Sequence, residues 1–162
     1  EKLETGRPQR GLLQLPAKGG DKMPARILAV DDEPGMLKLL AMIIREKTPH
    51  AVETTNNPVE AVQIVRRGGI DLVIADLKMP GLDGSELLEA IRAFSEIPVI
   101  IITAYGTEEA AAETREKGVF DFILKPFRKE QIVLAVERAL AWSTMQRENR
   151  ALRQRLEPPS AG

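Results

Sequence analysis

Between residues 25 and 140, short apolar, β-branched runs alternate with stretches whose apolar positions return every three to four residues. The runs RILAVDD, AVETT, DLVIAD, PVIIIT and DFILKP are each short enough for a strand and apolar enough to be buried on both faces. The stretches GMLKLLAMIIREK, PVEAVQIVRRG with Gly68 as a stop, GSELLEAIRAF and EEAAAETREKG carry apolar residues at i, i+3 and i+4 and predict helices. A β-α unit repeated five times calls for an α/β fold with helices on both faces of a parallel sheet. Right-handed connections leave a doubly wound five-stranded sheet as the expected architecture.

Two further zones flank this pattern. Residues 1–22 mix Gly, Pro and charge without a sustained period, as a linker or leader does, and Met23 stands directly before the first strand. The natural start is expected there, or else the leader belongs to something upstream. Residues 128–156 read as one long charged helix closed by the prolines of EPPSAG. The expected division is therefore a leader over 1–22, a domain over 23–140, and a helical linker with a disordered end over 141–162.

Composition removes several chemistries. The 162 residues are 43% hydrophobic and 29% charged, enough for one domain with a real core and too little for two. A net charge of −1 gives no ground for direct nucleic-acid binding or for attraction to an anionic membrane. With no cysteine and the single histidine His50, disulfides, thiol nucleophiles and Cys/His metal sites are excluded. No apolar stretch approaches the roughly 18–20 residues of a membrane helix, so a cytoplasmic protein is expected.

Position brings out the candidate chemistry. In an open parallel sheet, ligands sit at the carboxyl ends of the strands, where strand order reverses. Asp31 and Asp32 end the first run, Asp76 the third, Thr103 the fourth and Lys125 the fifth, while the second ends blandly in Thr54 and Thr55. Singly, each has an ordinary explanation as a cap or a solvated side chain. Together at one edge they form an acidic cluster with an ammonium and a hydroxyl beside it. Clustered carboxylates repel one another and favour a bound cation, and Mg²⁺ suits a few hard oxygen ligands. An aspartate beside Mg²⁺ can attack a phosphoryl group whose oxygens the metal and the ammonium neutralise. Asp76 is then the nucleophile, Lys125 the ammonium, Thr103 the hydroxyl, Asp31 and Asp32 the metal anchor, and Glu33 an outer helper or simply exposed.

The segments AVDDE, ADLKMPGLDG, ITAYG and DFILKPF resemble the motifs of the bacterial response-regulator receiver domain, from about Arg26 to Leu140. The resemblance implies a flavodoxin-like (βα)5 fold, and a domain that modifies itself and loses phosphate slowly without turning over a substrate. It implies that Asp76 accepts phosphate from the phosphohistidine of a sensor histidine kinase. Mg²⁺ is then held by Asp31, Asp32, Asp76 and the backbone carbonyl of Lys78. Thr103 and Lys125 contact the phosphoryl group, Ala104 leaves a gap for its approach, and Phe122 changes rotamer with phosphorylation state. Lys78 and Tyr105 occupy positions that set the lifetime of the acyl phosphate. The face of the fourth helix and fifth strand is the surface expected to change.

The tail ERALAWSTMQRENRALRQRL resembles the linker that follows receivers in enhancer-binding, NtrC-like transcription activators, whose ATPase and DNA-binding output domains are absent from this chain. In heptads, Trp142, Asn149 and Leu156 fall at a and Met145 and Leu152 at d, a seam for a parallel homodimer in which Asn149 fixes register. A single solvated helix remains open, since only about two heptads are present. A stand-alone receiver or dimerisation module also remains open, as does a module of this fold that has lost phosphorylation. So does an Asp-nucleophile phosphohydrolase of the haloacid-dehalogenase kind, although that family needs D-x-D after the first strand, where this chain has D-D-E.

Overall fold

The computed structural model describes residues 24–156; the leader, Met23 and the terminal EPPSAG lie outside them. The chain alternates as expected: β1 (Arg26–Val30), α1 (Pro34–Lys47), β2 (Ala51–Thr55), α2 (Pro58–Arg67), β3 (Leu72–Asp76), α3 (Gly84–Arg92), β4 (Val99–Thr103), α4 (Glu108–Glu116), β5 (Asp121–Leu124) and α5 (Lys129–Leu156). All strand pairs are parallel, in the order β2-β1-β3-β4-β5. The order reverses between β1 and β3, so the ligand crevice of such a sheet opens over their carboxyl ends.

Strand periodicity divides the core into two layers. Leu28, Val30, Val73, Ala75, Val99 and Ile101 face α2 and α3, where Ala61, Ile64, Leu87, Leu88 and Ile91 meet them. The alternate residues Ile27, Ala29, Leu72, Ile74, Ile100 and Ile102 face α1 and α5, against Leu40, Ile43, Ile44, Ile132 and Val136. Burial on both sides holds only for the inner strands. β3 and β4 are buried throughout. β2, expected to be buried on both faces, buries only Thr55, because it is an edge strand with a single neighbour. β5, at the other edge, buries only Ile123.

Local chemistry sets the helix ends. Asn57 accepts from the amides of Val59 and Glu60 ahead of Pro58, and Gly68 stops α2 at φ 92°. Asp83 and Glu86 form a reciprocal capping box that starts α3. Thr107 accepts from the Ala110 amide to start α4. α5 is continuous through residue 140, packing Ile132, Ala135, Val136, Ala139 and Ser143 against the domain. Among the described residues, no helix is long and apolar enough to cross a membrane.

Candidate metal and phosphoryl site

Register brings the carboxylates together. Val30 pairs with Ala75 across β1 and β3, so Asp31 and Asp76, one residue further on, leave the sheet side by side. One carboxylate oxygen from each of Asp31, Asp32 and Asp76 lies within 4.8 Å of the others. Asp31 (2% exposed) and Asp76 (7%) are buried, whereas Asp32 is exposed. The Asp31 Oδ1 accepts the Glu33 amide at 2.9 Å, turning the chain into α1. Asp76 Oδ1 accepts the Lys78 amide at 3.3 Å.

Lys125 supplies the counter-charge. Its amide donates to the Thr103 carbonyl at 2.8 Å, which ties the residue after β5 to the end of β4. The peptide to Pro126 is cis. Its Nζ lies 3.0 Å from Asp76 Oδ2 and 3.6 Å from Asp31 Oδ2. Burial alone depresses the Lys125 pKa, but the Asp76 hydrogen bond and the Asp31 charge outweigh it and hold it above its ordinary value. For Asp31, burial pushes the carboxyl up, and the Glu33 amide and Lys125 only partly offset this. A buried carboxylate whose ionisation is disfavoured, next to two more hard oxygen donors, is a donor set that fits Mg²⁺.

The remaining predicted residues frame this cluster. Thr103 is fully buried at the end of β4, one residue past Ile102, the register partner of Asp76. Its Oγ1 accepts the Tyr105 amide at 3.0 Å, which leaves the hydroxyl hydrogen to be donated elsewhere. Ala104 and Lys78 are exposed at the mouth. The Lys78 ammonium sits 5.5 Å from the centre of the Tyr105 ring, and Tyr105 is 58% exposed. Phe122 is half-buried beside Ile101, under the β4–α4 loop: a Cβ on Gly106 would meet its ring at 3.4 Å and collide with the Leu124 side chain.

Two contributors carry no overt sequence signal of chemistry. Gly84 begins α3 with its amide donating to the Leu77 carbonyl at 2.9 Å. A Cβ there would strike the Asp76 carbonyl oxygen and stand 2.8 Å from Leu77 Cα, so the helix approaches the end of β3 only because the residue is glycine. A glycine at the first position of a helix already capped by Asp83 is the trace this leaves in sequence. Ser85, the next residue, is buried and bonded to Lys117.

The seam residues sit apart from the acidic cluster. Trp142 (37% exposed) packs on Phe120 of its own domain, with ring centroids 5.8 Å apart, and Arg150 pairs with Glu96 at 2.7 Å. Met145, Asn149, Leu152 and Leu156 are exposed, about a third of a turn around the helix from the face that packs on the domain.

Residues 27–137 match the family described as the response regulator receiver domain. The chain is 38% identical over 121 residues to the transcriptional regulatory protein GlrR of Escherichia coli (strain K12), over 74% of this chain and 27% of that protein. The crystal structure of NtrX from Brucella abortus is similar with a TM-score of 0.75 at 35% identity, over 86% of this chain and 32% of that one. A response regulator receiver domain protein from Clostridium thermocellum matches with a TM-score of 0.71 at 28% identity, over 75% of this chain and 98% of that one. The chain thus spans about a quarter of the length of GlrR and about a third of that of NtrX.

Proposed function

We propose, for a chain that belongs to the response regulator receiver domain family, that Asp76 takes a phosphoryl group from the phosphohistidine of a sensor histidine kinase and thereby switches a transcription-activating output. The observation that carries this reading is the buried Asp76 carboxylate at the sheet's switch point, 3.0 Å from the Lys125 ammonium and within 4.8 Å of two further carboxylates.

In this reading an Asp76 oxygen attacks phosphorus as the bond to the donor imidazole breaks, and the imidazole nitrogen leaves with the electron pair. Asp31, Asp32, Asp76 and the Lys78 carbonyl hold Mg²⁺, which when bound neutralises charge on the phosphoryl oxygens. Lys125 transfers its hydrogen bond from the carboxylate to a phosphoryl oxygen, and Thr103 donates its hydroxyl to another. Ala104 leaves room for the group at the mouth. The acyl phosphate carries about −2 on its phosphoryl oxygens in place of the single negative charge of the carboxylate, a net gain of roughly one negative charge placed further out with three acceptor oxygens. This draws Thr103 and Lys125 inward, moving the β4–α4 loop against Phe122 and altering the α4–β5 face. Lys78 and Tyr105 stand where they regulate water access to the acyl phosphate and so its lifetime. The domain works by modifying itself, not as a turnover enzyme, and acts in the cytoplasm.

The receiver is taken to span residues 23–140, followed by a helical linker whose seam joins two chains and passes the signal to an ATPase or DNA-binding output beyond this chain. The test is uptake of phosphate from acetyl phosphate, and of beryllofluoride, in the presence of Mg²⁺. Wild type is expected to be labelled and Asp76→Asn not. Labelling of the variant at the wild-type level would refute the assignment.

A further inference from the structure

α4 is the helix least secured by apolar burial. Its one buried residue is Thr114, whose hydroxyl bonds back to the Ala110 and Ala111 carbonyls at 3.1 Å each. α2 and α3, by contrast, bury Ile64, Val65, Leu87, Leu88 and Ile91. Few buried apolar groups mean a low local cost of displacement. What ties the far end of α4 to the domain is polar. Lys117, its C-cap residue, donates from Nζ to Ser85 Oγ at 2.8 Å and lies 3.3 Å from both Glu113 Oε2 and Glu89 Oε1. The Ser85 hydroxyl is also 3.3 Å from that Glu113 oxygen. Ser85 and Glu89 belong to α3 and Glu113 to α4, so one ammonium joins the two helices.

The α3 end of this contact leads back to the acidic cluster. Ser85 follows Gly84, which bonds to the Leu77 carbonyl and packs directly on the Asp76 carbonyl. The same arrangement has Lys125 bonded to Asp76 Oδ2 itself, the resting engagement of an oxygen that phosphorylation would occupy.

We propose that Lys117 is a latch, holding α4 to the amino end of α3 in the resting arrangement and setting how readily α4 moves when Asp76 is modified. The inference rests on the reading of Asp76 as the phosphoacceptor. It adds a contact on the α3 side of α4, opposite in position to the β4–α4 loop through which Thr103 acts. A latch that stabilises the resting state lowers the fraction of competent molecules, and so weakens the apparent affinity for any phosphoryl mimic.

The test uses the full chain with Mg²⁺ and beryllofluoride, and reads hydrogen exchange of the amides of residues 108–117 alongside the beryllofluoride half-saturation concentration. Lys117→Met is expected to speed exchange across α4 and to lower half-saturation by about five-fold. Ser85→Ala, which leaves the two carboxylates in place, is expected to lower it by about two-fold. Arg115→Gln, which removes a positive charge from the same helix outside the latch, should change neither quantity. Unchanged α4 exchange in Lys117→Met overturns the latch, and so does faster exchange with an unaltered half-saturation, since the contact is then structural only. The exchange arm is independent of the acidic cluster. Failure of wild type itself to take up beryllofluoride overturns the phosphoacceptor reading instead.

Discussion

Replacing Gly84 by alanine adds one methyl group at the point where α3 meets the end of β3. That methyl would collide with the Asp76 carbonyl oxygen, stand 2.8 Å from Leu77 Cα, and stand 3.0 Å from the Asp76 carbonyl carbon. All three are backbone atoms, so no rotamer change relieves the contact. Either β3 bends at Asp76, or the rigidly capped start of α3 moves out and takes the fully buried Leu87, Leu88 and Ile91 with it. Overpacking of this kind costs about 1–3 kcal/mol, and a backbone obstruction belongs at the upper end, ~3 kcal/mol. For a domain of this size that lowers Tm by roughly 10 °C. Because Asp76 is one of the atoms pressed, beryllofluoride uptake should weaken as well.

The same substitution at Gly35 is the control. It lies inside α1 with nothing within 4 Å of the added Cβ, so alanine there should be neutral or stabilising by up to ~1 kcal/mol. Thermal unfolding in the presence of Mg²⁺ measures both. Gly84→Ala melting within about 2 °C of wild type, or Gly35→Ala falling as far as Gly84→Ala, would refute the steric argument.

Two other expectations follow from electrostatics and from the tail. Burial raises the Asp31 pKa above 3.8, so the folded state takes up this proton more readily than the unfolded state. In metal-free buffer Asp31 therefore costs stability as pH rises from about 3.8 through its folded value, and the cost persists above it. Asp31→Asn should flatten that decline and abolish the Tm gain from Mg²⁺; urea unfolding in EDTA that shows the variant less stable than wild type at neutral pH would count against the site. Trp142 and Ser143 pack against their own domain, so a chain ending at Thr144 removes Met145, Asn149, Leu152 and Leu156 while sparing the fold. The full chain is expected to sediment as a dimer and the shortened one as a monomer, and Asn149→Leu should change the oligomeric state or stability; a monomeric full chain at tens of micromolar, with and without beryllofluoride, defeats the seam.

Much of the architecture was legible along the chain. Unbroken apolar, β-branched runs in LVIAD and VIIIT, period 3.6 between them, and stop or cap residues such as Asn57, Gly68 and Asp83 are local properties, and they dictate element type and the five-fold β-α order. Once the order is known, the handedness of crossovers leaves few sheets to choose from. The positions of Asp31, Asp32, Asp76 and Lys125 at strand ends follow from the same pattern, which is why the acidic cluster could be read without coordinates.

What only the tertiary structure decided depends on which distant residues meet. AVETT is short and β-branched like the other strands, yet β2 buries only Thr55. Glu53 and Thr54 already make it more polar than LVIAD or VIIIT, and its place at the sheet's edge with a single neighbour is a property of the sheet order. Trp142 fits a dimer seam by period, but Phe120, brought beside it by the sheet's edge, takes part of its surface. The glycine after the Asp83 cap is a local trace, but only the packed structure shows that Gly84 lets α3 touch Asp76, and nothing local in GSELLEAIR marks Ser85 as the partner of a lysine 32 residues away. Local pattern encodes which face of an element is buried; the identity of what lies against that face is set only when the layers close.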